Sequence, residues 1–184
     1  MNIIKRVTIT PAGAAIDGRP VPVDGRGMEL LTALYRHTAG DYPKFFKMDP
    51  LCRLGFVATE LLLDGDRRNG CADRAVILFN RNASIANDRR YQATIPHDSG
   101  QFFPSPAVFV YTLPNIVTGE IAIRNRYYGE TACYILENND QTIIEEIVGQ
   151  AFDADPSTTS AVAGWVDFNT EVDFLADIFL ALKQ

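Results

Sequence analysis

The segment GETACYILENND, residues 129–140, offers the sequence's clearest candidate for chemistry: Cys133, set behind Thr-Ala and ahead of a stretch with helix character. A cysteine attacks acyl groups as its thiolate, so it needs a helix N-terminus or a cation to lower its pKa, and a base close by. Asn and Asp cap helices far better than Ala or Cys, and Thr-Ala-Cys-Tyr-Ile-Leu is strand material. The pattern therefore predicts a strand over residues 131–136, with Thr131, Cys133 and Ile135 on one face and Ala132, Tyr134 and Leu136 on the other. Asn138-Asn139-Asp140 then supplies cap chemistry for a helix through Phe152, whose apolar positions include Ile143, Ile144, Ile147, Val148 and Ala151. On this reading Cys133 is a buried strand residue, and the strand-to-helix turn lies at Asn138-Asn139.

The groups that would assist a nucleophile are scarce. The only histidines are His37, read as a helix C-terminal residue favoured by the dipole, and His97, read as a loop residue after Pro96. Glu145 and Glu146 read as a solvated helix face rather than an acid/base pair, and Ser105, between two prolines, lacks the Gly-x-Ser-x-Gly elbow of serine hydrolases. No phosphate-cradling glycine loop or metal-ligand spacing is present, so no cofactor and no metal are expected. Cys52, Cys71 and Cys133 are odd in number and lack C-x-x-C spacing, which reads as free thiols.

These residues must be positioned by a fold, and the totals bound it. With 184 residues, 47% hydrophobic and 22% charged, the chain reads as one globular domain over residues 1–184. The start reaches charge within five residues without an apolar signal region, and no apolar run approaches membrane-span length, so a cytosolic protein without a membrane partner is expected. The net charge of −6 divides unevenly: residues 1–126 carry +4 and residues 127–184 carry −10, with Lys183 their only base. An acidic last third disfavours nucleic acid, while Arg67, Arg68, Arg89, Arg90, Arg124 and Arg126 could form a basic face.

Along the chain, residues 3–10 read as a first strand ending at Pro11-Ala12-Gly13, followed by an irregular connection with a small hairpin over residues 15–23 and a helix from Gly27 or Met28 to His37. Asp49 is placed as N-cap and Pro50 as first residue of a helix on Leu51, Leu54, Val57, Ala58, Leu61 and Leu62, stopped at Asp64-Gly65. Residues 73–80 and 160–168 are continuous apolar runs of the kind buried on both sheet faces. Residues 81–106 show no periodicity and read as a long loop. A mostly apolar helix opens at Pro114 and runs to about Arg124, with Gly119 inside it suggesting close backbone packing. Residues 171–184 fit helix and strand alike.

SPAVFVYTLPNIVTGEIAIRNRYYGE resembles the part of β-ketoacyl-acyl carrier protein synthases that leads through a Pro-Asn helix start to the strand before the active-site cysteine. IKRVTITPAG, FFKMDPLCRLGFVATELLL, DRAVILFN and SAVAGWVDF are similar to other pieces of that family in the same order. The resemblance implies an α/β, thiolase-like half fold: a layered domain with a mixed, mostly parallel sheet covered by helices. Counting from Gly129-Glu130, which stands where the family has Gly-Pro, puts the nucleophile-equivalent position at Asn138 or Asn139. The family's second-half His-Gly-Thr-Gly-Thr and Asn-x-Phe-Gly motifs do not occur here.

The resemblance therefore implies a short synthase-like protein of fatty-acid, polyketide or aryl-polyene type biosynthesis, acting as a non-catalytic partner or carrier-protein docking subunit. The alternative is an acyltransferase using Cys133 with histidines from a partner chain. Implied partners are an acyl carrier protein, docked on the arginine face, and a true ketosynthase, in a homo- or heterodimer whose interface includes Thr131, Cys133 and Ile135.

Overall fold

The structure, a computed structural model, describes residues 1–64, 71–95 and 104–184. Its centre is a hairpin of two long strands, β6 (Ser160–Thr170) and β7 (Asp173–Leu182), joined through Glu171-Val172. The first nine residues of β6 are all buried, as its continuous apolar run requires. Gly164, at φ 130°, lies against the backbone of Asp177 and Ile178, where a Cβ would collide with the Asp177 carbonyl.

The segment left open between helix and strand is thus a strand. Phe174, Ala176, Ile178 and Leu180 enter one core while Phe179 and Ala181 enter the other, a period of two. Its apolar residues suit either period, and antiparallel pairing with β6 on one side and β1 (Asn2–Thr10) on the other decides between them.

Beyond β1 the sheet continues antiparallel through β2 (Gly13–Ile16) to the two-residue edge strand β3 (Arg19–Pro20), matching the expected hairpin. On the other side of β6 come β4 (Ala75–Asn80) and β5 (Thr131–Ile135), both parallel. The order is β3-β2-β1-β7-β6-β4-β5. The sheet is mixed, as expected, but parallel pairing is confined to the β6-β4-β5 end, because β7 returns beside β6 by a tight turn and β1 and β2 extend that antiparallel half.

Helices cover both faces. One core gathers α1 (Gly27–Thr38), α2 (Pro50–Leu62) and α5 (Ile116–Asn125), and the other lies under α6 (Gln141–Ala154). The Asp49 side chain caps α2 by accepting from the Cys52 N–H at 2.9 Å, and Pro50 follows it in the first turn, as the sequence predicts. The expectation at Gly119 fails, since a Cβ there would meet open space. The close approach is instead at Gly55 of α2, where a Cβ would collide with a Val117 methyl of α5. The stretch expected as loop holds two helices, α3 (Ile85–Gln92) and the beginning of α4 (Pro106–Val110). α3 has a single buried residue, Asn87, so no apolar stripe marks it.

Replacing Asp49 by Ala should lower unfolding free energy by about 1 kcal/mol, while Asn, an equal cap without the charge that burial disfavours, should stay within about 0.5 kcal/mol. Denaturant titration of the three proteins checks this.

Candidate active-site turn and open sheet edge

β5 ends the sheet. The Val76 N–H donates to the Glu130 carbonyl and the Leu136 N–H to the Asn80 carbonyl, both at 2.8 Å. Backbone groups alternate along a strand, so Ala132 and Tyr134 also face β4, and the N–H and C=O groups of Thr131, Cys133 and Ile135 face the free edge. Tyr134 stacks on Phe79 at 5.3 Å, and Ala132 and Leu136 pack into the core beneath α6. Ile135 is 52% exposed, and Ile123 of α5 and Tyr128 of the α5–β5 connection are exposed as well.

Cys133 stands in the middle of this strand opposite Leu78, half-buried rather than buried. Burial pushes its thiol up to about 11, the reverse of what activates a nucleophile. His37 lies in the last turn of α1, and His97 lies outside the described residues.

The turn to α6 lies downstream, as the spacing predicts. Of the three cap candidates the helix uses Asp140, whose Oδ1 accepts from the N–H groups of Thr142 at 2.9 Å and Ile143 at 3.3 Å. Asn138 is exposed beside a cleft of about 200 Å³ that also touches Arg81, Asn139, Trp165 and Phe174. Asn139 is tied inward: its Oδ1 accepts from Gln141 Nε2 at 2.7 Å, and Gln141 Oε1 accepts from Arg6 Nη1 at 3.1 Å. Arg6 also pairs with Asp177 at 3.1 Å and lies over the Phe179 ring. The sequence reading missed Arg6 and Asp177, because their juxtaposition depends on β1 and β7 being neighbours and β7 had no assigned type.

The helix N-terminus that could stabilise a thiolate or an oxyanion is therefore occupied by the chain's own carboxylate, and the turn before it carries the amides Asn138 and Asn139. Among the described residues no group of three His, Cys, Asp or Glu side chains is placed to hold a metal.

The structure does not gather the expected arginines among the described residues into one face. Arg89 and Arg90 are exposed at the end of α3, with Arg89 Nη1 donating to Asn169 Oδ1 at 2.9 Å, and Arg126 is exposed at the left-handed C-cap of α5. Arg67 and Arg68 lie outside the described residues. Arg124 does not belong to such a face. It is 8% exposed, lies over the rings of Tyr42 and Phe56, and bridges Glu60 at 3.2 Å and Asp41 at 2.7 Å. The sequence offers Arg124 as part of a basic face at about the end of the helix, but the buried Glu60 on α2 requires a cation beside it.

No family model matches the sequence, and no curated protein matches it. Solved structures do match, and they show the fold: it is shared with ketosynthase/chain length factor structures. The ishigamide ketosynthase/chain length factor superposes with a TM-score of 0.71 at 16% identity, over 98% of this chain and 61% of that one. The ketosynthase ApeO in complex with its chain length factor ApeC, from Xenorhabdus doucetiae, gives 0.62 at 12% identity, over 100% of this chain and 79% of the matched one. This chain thus spans about three fifths of the first of these. No described helix is long and apolar enough to cross a membrane.

With its thiol near 11, Cys133 should react with iodoacetamide at pH 8 roughly 100-fold more slowly than a free cysteine, the rate climbing with pH until about 11. Mass spectrometry of the alkylated peptide across a pH series reads this directly.

Proposed function

We propose that this chain, acting as one domain, is a non-catalytic ketosynthase-like subunit that pairs with a catalytic ketosynthase in fatty-acid, polyketide or polyene-type synthesis. The observation that carries the reading is the turn before α6. In a fold shared with ketosynthase/chain length factor structures, it presents Asn138-Asn139 and a helix end already capped by Asp140. The half-buried Cys133, its thiol pushed up by burial, supports the same reading.

Pairing uses the free edge of β5. A partner strand there would satisfy the outward backbone groups of Thr131, Cys133 and Ile135 and bury Ile123, Tyr128 and Ile135. The acyl carrier protein, an acidic partner, would dock on the exposed arginines Arg89 and Arg90 of α3.

The test is purification of the tagged protein from its native cells followed by cross-linking mass spectrometry. The account expects a ketosynthase held in 1:1 ratio and cross-linked near β5. Cys133→Pro, which removes an outward donor and no β4 bond, should weaken that complex at least roughly 10-fold while the chain stays folded. Arg89→Glu with Arg90→Glu should weaken carrier protein binding without disturbing the pair. A chain that occurs only alone or with itself contradicts the pairing, and carrier binding unchanged by the double reversal removes the docking assignment.

A further inference from the structure

Residues 104–116, PSPAVFVYTLPNI, are predominantly apolar, yet none of them is buried. Phe109, Val110 and Leu113 are each about half exposed. An apolar segment ordinarily attaches by sinking its side chains. This one sinks only Tyr111 and Ile116 partway against the core and sets Phe109 against Tyr91 of α3 at 5.6 Å, and buried polar side chains hold its backbone. Asn87 of α3, 1% exposed, donates from Nδ2 to the Val108 carbonyl at 2.7 Å, and Ser84, 3% exposed, donates from Oγ to the Thr112 carbonyl at 2.5 Å. These are the buried polar residues of an otherwise solvated helix and its cap, and they reach out to the segment rather than into the core.

The third tie is weaker. The Tyr111 hydroxyl donates to Glu120 Oε1 at 3.4 Å, near the limit of a hydrogen bond. Glu120 is 5% exposed, and its Oε1 also accepts from Lys44 Nζ at 2.8 Å. Its Oε2 is buried without a hydrogen-bond partner among the described residues. A buried carboxylate oxygen left unpaired opposes the arrangement that buries it, and water admitted under a displaced Tyr111 would satisfy it.

We propose that residues 104–114 form a strap with two states. In one it is docked on α3 through Asn87 and Ser84. In the other it is released, Tyr111 swings away and Glu120 is hydrated. The docked state is held by separable polar ties, the Phe109–Tyr91 contact and the partly buried Tyr111, and is opposed by the orphaned Glu120 oxygen, whereas α5 and the sheet are held by side chains that are fully buried. The strap therefore opens as a local unit, before and apart from global unfolding.

Hydrogen exchange of the full chain, read by peptide mass spectrometry, tests this. Peptides covering residues 106–113 should exchange at least roughly 100-fold faster than those of β6 and β7. Asn87→Ala should accelerate them by about another 10-fold and leave β6 and β7 unchanged. Should Asn87→Ala fail to fold, chymotrypsin acting on the unaltered chain reads the same equilibrium, with cleavage after Phe109 or Tyr111 under native conditions. Exchange and cleavage of this segment only at the rate of the β6–β7 hairpin, or acceleration of all peptides alike by Asn87→Ala, would overturn the proposal.

Discussion

The parallel pair β4–β5 satisfies one side of β5 and leaves the other to be satisfied elsewhere. Glu130 and Leu136 bond back to Val76 and Asn80 respectively, which fixes the register of five residues and thereby the direction in which every backbone group between them points. From that register follow the half-buried position of Cys133, the stacking of Tyr134 on Phe79, and the place at which the chain can turn into α6. The opposite end of the sheet is closed by a two-residue strand ending in Pro20, a poor template for further pairing. The sheet thus has one edge suited to growth, and Ile135 of β5 itself is exposed there.

The same register decides the chemistry. A thiol in the middle of a strand has no helix dipole to draw its proton away, and burial works against ionisation. The position that does face a helix N-terminus is filled by amides, and Asp140 already accepts from the first free N–H groups of α6. Arg6, Asp177, Gln141 and Asn139 lock the turn from below, tying it to the antiparallel half of the sheet. What remains at this site is shape and hydrogen bonding.

Much of this was legible in the sequence because it rests on local rules. TACYIL has strand propensity, Asn-Asn-Asp has capping chemistry, and Asp49-Pro50 starts a helix wherever it stands. The failures have physical causes of the opposite kind. α3 carries no apolar stripe and is held by buried polar groups, so periodicity cannot find it. α4 did have a local signal in Ser105-Pro106, an N-cap followed by Pro in the first turn, which the surrounding aperiodic stretch concealed. β7 is buried on both faces, so its residues fit either period until its neighbours are known. The burial of Arg124 follows from Glu60 on another helix, and the tight helix contact falls at Gly55 rather than at the more conspicuous Gly119.

The claim that the β5 edge is an interface with a ketosynthase is tested most directly by amide exchange at Thr131, Cys133 and Ile135, measured in the isolated chain and in its complex with the synthase. The account predicts rapid exchange at all three in the isolated chain, with Ala132 and Tyr134 protected, and protection of all five residues in the complex. Protection of the three outward amides in the isolated monomer, or their continued rapid exchange in a complex that has formed, would contradict it.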